Sequence, residues 1–341
     1  MPYRTTRRMV RRVLGRSLLA CSLPLLVAAC GRNGERPDVP MPAGMVRIPD
    51  GRFTMGAGSQ VMAGDAAPHP VTVAAVYLDR TEVTNAAFAQ FVQATHYQTT
   101  AEQPVDWAAL QRELPPGTPK PPDEQLRPGS LVFQAPDHPV PLDDERAWWQ
   151  WTVGADWRHP AGPTSDTTGL SQHPVVQVSY QDAAAYCAWA GKRMPTEAEW
   201  EFAARGGLEG KTFSWGDDPI TPARANVWQG AFPLRNSGED GHVGTAPVGS
   251  YPPNGYGLVD MAGNVWEWTA DRFDPTALDP SAPPGPEERV IRGGSFMCHA
   301  SYCAGYRTAA RMHATPATSL MNTGFRCAAD VRRPVVRGGP R

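Results

Sequence analysis

Ala185-Tyr-Cys-Ala-Trp-Ala-Gly-Lys-Arg-Met-Pro-Thr-Glu-Ala-Glu-Trp-Glu201 is the stretch from which the fold is read. It holds the end of one helix, a stop and the start of another. Upstream, Ser179 with Asp182 three residues on makes a capping-box-like start, and Gly191 supplies the stop. Thr196-Glu-Ala-Glu199 is a capping box, in which the threonine hydroxyl and the glutamate carboxylate satisfy each other's free backbone N–H groups; this helix stops near Gly206. Upstream again, Thr84 caps a helix whose Phe88, Phe91 and Val92 fall on one face. Met45 to Gly56 reads as two short strands around Asp50-Gly51, and Val71 to Leu78 as a further strand.

Beyond Gly207 the chain offers turns, short strands and aromatic clusters, with no repeat, no βαβ alternation and no Gly-rich phosphate loop. Leu114 to Gly129 holds six prolines and reads as an extended, polyproline-like surface insert at about 111–130. With 33 Gly, 36 Pro and 11 Trp in 341 residues, the composition is that of an ordered, loop-rich fold, and the helices and strands read above make its class α+β. A formal charge of −2 and scattered Lys and Arg leave no basic stripe, which argues against a nucleic-acid partner.

The N-terminus carries Arg4, Arg7, Arg8, Arg11, Arg12 and Arg16, then an apolar stretch from Val13 to Ala29. That order reads as an export signal over residues 1–29, too short and interrupted to span a membrane. Val27-Ala-Ala-Cys30 resembles a bacterial lipobox, so Cys30 is expected to carry lipid and to anchor the protein at the periplasmic face of a membrane; Arg7-Arg8 leaves the choice of export route open. Residues 30–43 then form a polar Gly/Pro tether, 44–330 the folded domain and 331–341 a tail. Roughly 310 residues left after processing suffice for one large domain or two smaller ones.

Cys21 leaves with the signal and Cys30 is lipidated, so four of the six cysteines remain: Cys187, Cys298, Cys303 and Cys327. Four thiols in an oxidising compartment permit three full pairings, among which spacing does not choose. Cys298 and Cys303 lie in Arg292-Gly-Gly-Ser-Phe-Met-Cys-His-Ala-Ser-Tyr-Cys303. Two thiolates so close are soft ligands for Cu(I), Zn(II) or an Fe–S cluster, a redox dithiol, or a small-loop disulfide.

Six blocks together resemble the formylglycine-generating enzymes, the sulfatase-modifying factors, from about Ala43 to Asp330. They are His173-Pro-Val-Val-Gln-Val-Ser179, Ala185 to Glu201, Pro253-Asn-Gly-Tyr-Gly-Leu258, Gly263-Asn-Val-Trp-Glu-Trp268, Arg292 to Cys303, and Gly324-Phe-Arg-Cys327. The resemblance implies a single-domain fold that is C-type-lectin-like in part. It also implies oxidation of a cysteine in a Cys-x-Pro-x-Arg motif of a client sulfatase to Cα-formylglycine, with O2 as co-substrate. Cys298 and Cys303 match a pair that binds Cu(I) as a bis-thiolate, to which the client cysteine adds a third sulfur. Ser295 matches the active-site serine, and Cys187–Cys327 a structural disulfide. Ala204 and Thr308 stand where some relatives carry a second disulfide. Trp266, Arg311, Ser319 and Asn322 match residues of the client groove. Asn226 and Asp240, with the carbonyls of Val227 and His242, match one structural Ca2+ site. Asp260 and Glu267, with the carbonyls of Gly263 and Val265, match a second.

The chain departs from the family pattern between Thr100 and Trp149, where the Pro-rich insert, Trp107, Trp148 and Trp149 bear on client preference. Two other readings stay open. An iron oxidase of the superfamily needs a histidine triad with a close His-x3-His pair, and no two of the eight histidines lie closer than 14 residues. A non-catalytic binding module on the same fold has no need of Cys298, Cys303 and Ser295.

Overall fold

The computed structural model describes residues 39–58, 62, 64–114, 117–274 and 287–331. The signal segment, Cys30, most of the tether, and all of the tail but Val331 lie outside the described residues. Among those described, no helix is long and apolar enough to cross a membrane.

Each predicted helix forms where its cap places it. The first, α1 (Asn85–Thr95), begins with the Thr84 hydroxyl accepting from Ala87 N and ends at His96, whose φ is +55°. Its Phe88, Phe91 and Val92 are buried, and Phe88 stacks on Tyr186 and meets Phe325 edge-on. A further helix, α2 (Trp107–Glu113), starts at Asp106, whose carboxylate accepts from Ala109 N. It is an addition to the three expected, although Asp106 is a proper cap. The capping boxes at Ser179 and Thr196 both close, starting α3 (Tyr180–Trp189) and α4 (Glu197–Arg205); α4 ends at Gly206 in the left-handed region. Thr196→Ala should therefore cost about 1 kcal/mol, read as a lower urea midpoint with an unchanged denaturant slope.

Strands β1 (Met45–Ile48) and β2 (Gly51–Met55) flank the Asp50-Gly51 turn as expected, yet they do not pair with each other. β2 pairs with β3 (His69–Val73), and β1 with β4 (Val76–Asp79). The single strand expected over Val71–Leu78 is thus broken at Ala74-Ala75, because its halves serve different sheets. The insert is likewise not wholly extended: Asp123–Leu126 form a 3-10 turn. After it, β5 (Gly129–Phe133) and β6 (Trp149–Val153) make an antiparallel hairpin. A small ribbon joins β7 (Gly230–Ala231) to β8 (Arg235–Asn236).

The sheet that carries the site comes last in the chain. β9 (Trp266–Arg272) lies between β10 (Arg289–Arg292), antiparallel, and β12 (Thr323–Gly324), parallel. β11 (Met312–Ala314) pairs with β10 at the sheet's edge. β13 (Ala328–Asp330) returns to β4, placing Cys327 next to the first sheet. Cys187 on α3 is bonded there to Cys327, with Cα atoms 5.7 Å apart. The expected frame of the domain is present.

Buried ion pairs tie α4 to the strands. Arg292, wholly buried, is held by Glu197 at 3.0 Å and by Glu201, while Arg205 also grips Glu201 at 2.6 Å. Arg326 forks onto both oxygens of Glu267 at 2.7 Å, and Trp200 Nε1 donates to the same carboxylate at 2.8 Å. Each charge is compensated, and it must be, since removing one partner of such a pair costs several kcal/mol.

Candidate active site

The segment after β10 folds back sharply. Gly293 and Gly294 have φ of +94° and +74°, and a Cβ on Gly294 would stand 2.6 Å from Tyr306 N, so only glycine fits. The chain then turns twice: Cys298 N donates to Ser295 O at 2.9 Å, and Cys303 N to His299 O at 2.8 Å. These turns bring Cys298 and Cys303 to a Cα separation of 4.7 Å, with their sulfurs joined as a disulfide. The readings the spacing left open, a metal-binding pair, a redox dithiol and a small-loop disulfide, all need two sulfurs this close, and a metal needs the reduced pair. Both residues are buried, at 1% and 5% exposure.

Above the sulfurs opens a cavity of about 210 Å3 whose lining includes Cys298, Cys303, Ser295, Trp266 and Asn322. Ser295 is fully buried, and its hydroxyl oxygen accepts from Asn322 Nδ2 at 3.1 Å and from Met297 N at 3.3 Å. With two donors already aimed at that oxygen, its proton is free to be donated into the cavity. The hydroxyl is a positioned donor.

Two expected groove residues are elsewhere. Arg311 does not line the cavity; its guanidinium binds both oxygens of Glu197 at 2.6 and 2.9 Å. Ser319 is buried against Ser130, the two hydroxyl oxygens 2.6 Å apart, while its neighbours Thr318 and Leu320 face the cavity. Glu145, Trp149 and Tyr302 line it instead, so the segment that departs from the family pattern supplies part of the wall. The Tyr302 hydroxyl donates to Glu145 at 2.6 Å, and burial, reinforced by that carboxylate, pushes the phenol far above its ordinary range. Nothing local links Glu145 to Tyr302, which are 157 residues apart. The pattern of Trp148-Trp149 was the available signal.

The calcium sets part company. In the first, Asn226 Oδ1 is buried without a partner, while Asn226 Nδ2 is engaged by Gly244 O and Asn264 Oδ1. Asp240 accepts from His242 N and Tyr251 OH, and Asp240 N donates to Gln229 Oε1. An orphaned buried amide oxygen fits an oxygen-seeking cation. The second set is divided. Glu267 accepts from Arg326 and Trp200, while Asp260 Oδ1, like Glu82 Oε2, is buried without a partner. Burial raises the carboxyls of both Glu82 and Asp260. Among the described residues no three His, Cys, Asp or Glu side chains gather as a metal site. Of the positions expected for a second disulfide, Ala204 is buried, and the Thr308 hydroxyl donates to the carbonyls of Lys211 and Thr212.

Residues 32–331 match the family model described as "Sulfatase-modifying factor enzyme 1-like domain". The chain belongs to that family. It is 48% identical to the formylglycine-generating enzyme of Streptomyces coelicolor, over 84% of this chain and 89% of that protein. A mouse protein called inactive C-alpha-formylglycine-generating enzyme 2 is 41% identical, over 93% and 95% of the two chains. The solved structure of PvdO from Pseudomonas aeruginosa shares the fold, with a TM-score of 0.55 and 26% identity over 83% of this chain and 93% of that one. Within this sulfatase-modifying family, membership alone does not decide activity, and the cavity has to.

Proposed function

We propose that this protein converts a cysteine of client sulfatases to Cα-formylglycine, using Cu(I) and O2 on a Cys-x-Pro-x-Arg segment. One observation carries the reading: two buried cysteines are brought together at the base of a cavity that also presents a positioned serine hydroxyl. The likeness to the Streptomyces formylglycine-generating enzyme supports the same chemistry. An inactive member of the family would have no use for that combination.

The overall change is a two-electron oxidation of the client's Cβ. The client thiol, O2, two electrons and two protons give the aldehyde, one hydrogen sulfide and one water, so a reductant must accompany O2. The same reductant opens Cys298–Cys303 to the dithiol. The reduced pair offers two soft donors and nothing hard, the preference of Cu(I), which when bound supplies the route for electrons to O2. The remaining work falls to the chain. The cavity walls exclude water from the client cysteine, and the Ser295 hydroxyl, held by Asn322, can donate to an oxygen that develops negative charge. Ser295→Ala should slow turnover by about 10- to 1,000-fold and leave copper affinity unchanged in a chelator competition. A lost copper site in that variant would make Ser295 structural.

We also propose one structural Ca2+, held by Asn226, Asp240 and the carbonyls of Val227 and His242. Chelation with EGTA should lower Tm, excess Ca2+ should restore it, and Asp240→Ala should remove the response. An EGTA-insensitive Tm would count against it. The export signal, the lipid on Cys30 and a periplasmic location are proposed from the sequence alone. Mass spectrometry showing an unmodified N-terminus at Met1 would exclude them.

A further inference from the structure

Another cavity, of about 370 Å3, opens where β2, the end of α4 and the stretch after Cys303 meet. Its size is that of a small-molecule site. Three basic side chains line it, Arg205, Lys211 and Arg307, together with the hydroxyl residues Thr54, Thr212 and Thr308, and no Asp or Glu does. It shares no residue with the cavity above Cys298 and Cys303.

The carboxylates that partner these cations lie behind the lining. Glu201, wholly buried, takes two bonds from Arg205, but it also binds Arg292, so one negative charge serves two guanidinium groups. Glu197 is likewise divided, between Arg292 and Arg311, and Asp271, the next carboxylate, accepts from Glu197 N at the Arg311 end. The Arg205 end, which faces the cavity, therefore keeps a positive excess. Arg307 donates from Nη2 to Asp65 at 2.7 Å and from Nε to Ala304 O, and its Nη1 has no partner among the described residues. Lys211 Nζ pairs with Asp217 at 2.6 Å, an exposed pair that water screens.

We infer that this cavity binds a small tetrahedral oxyanion, a sulfate or phosphate group, between Arg205 on α4 and Arg307 beyond the cysteine segment. A guanidinium presents planar, paired N–H groups that match the oxygens of such a group, and Lys211 adds a point charge beside them. Position gives the site a use. Arg205 follows Ala204 in the chain and Arg307 precedes Thr308, and Ala204 and Thr308 stand where the family resemblance places a second disulfide in some relatives. An anion gripped by both arginines ties the same two stretches together by charge. The inference goes beyond the proposed oxidation and does not depend on it.

The test is titration calorimetry on the full chain in detergent, with sodium phosphate or sodium sulfate added at an ionic strength held constant by chloride. Both should bind saturably at one site, and each should raise Tm above the value in chloride alone. Arg307→Gln should weaken binding by about 10- to 100-fold, the scale of one charge-assisted hydrogen bond lost. Because that change also removes a bond from buried Asp65, a second variant is placed at the exposed Thr54. Thr54→Glu leaves the buried pairs intact and puts a carboxylate into the cavity, so it should abolish binding. Phenyl phosphate separates the two sources of the group: tighter binding than phosphate assigns the site to an ester, and equal or weaker binding to the free ion.

No saturable heat from either anion, or a Tm that follows ionic strength alone, overturns the inference. So does binding that both variants keep, which puts the anion elsewhere on the protein.

Discussion

Cys298→Ser and Cys303→Ser should each abolish oxidation of a Cys-x-Pro-x-Arg peptide by protein supplied with Cu(I), O2 and a reductant. A hydroxyl is a hard, weakly acidic group, so a serine leaves one soft donor where two are needed. The loss should appear first in copper binding: in competition with a Cu(I) chelator, each variant should retain far less metal than the parent. Both cysteines are buried and lie five positions apart, and the other two cysteines among the described residues, Cys187 and Cys327, are bonded to each other within the core. Turnover that survives either substitution would mean that the bis-thiolate is not the reacting centre. Copper retained by both variants with activity gone would place the metal elsewhere.

Removing the second pair should act on stability instead. Cys187–Cys327 closes a loop of 140 residues, and by chain entropy such a closure contributes about 5 kcal/mol, chiefly by restricting the unfolded chain. A Cys187→Ser, Cys327→Ser double variant should therefore unfold at a much lower urea concentration, yet still oxidise peptide at low temperature where it remains folded. For a domain of this size that is a large fraction of the total stability. A loss below about 1 kcal/mol would show that the unfolded chain keeps enough structure for the bond to constrain little. Inactivity in a folded variant would draw this disulfide into the site.

The sequence by itself determined whatever rests on neighbours a few residues apart. Three helix starts were legible because a cap is a contact within one turn: Thr84 with Ala87, Ser179 with Asp182, Thr196 with Glu199. The family blocks carried the pairing of Cys187 with Cys327, and they also marked Cys298, Cys303 and Ser295, which share one segment and fall together through its own turns. Tertiary structure alone decided what depends on partners far along the chain. No local signal says that Val71–Leu78 must break, since the break follows from β3 and β4 joining different sheets. Arg311 and Glu267, both expected at binding sites, are claimed by Glu197 and by Arg326 and Trp200, because a buried charge takes the nearest opposite charge the fold offers. The cavity wall is likewise assembled at a distance, with Glu145 brought to Tyr302 from 157 residues away. Reactive groups can be read from a chain because their chemistry belongs to the residue, whereas a groove is a relation among surfaces that exists only once the backbone has closed around it.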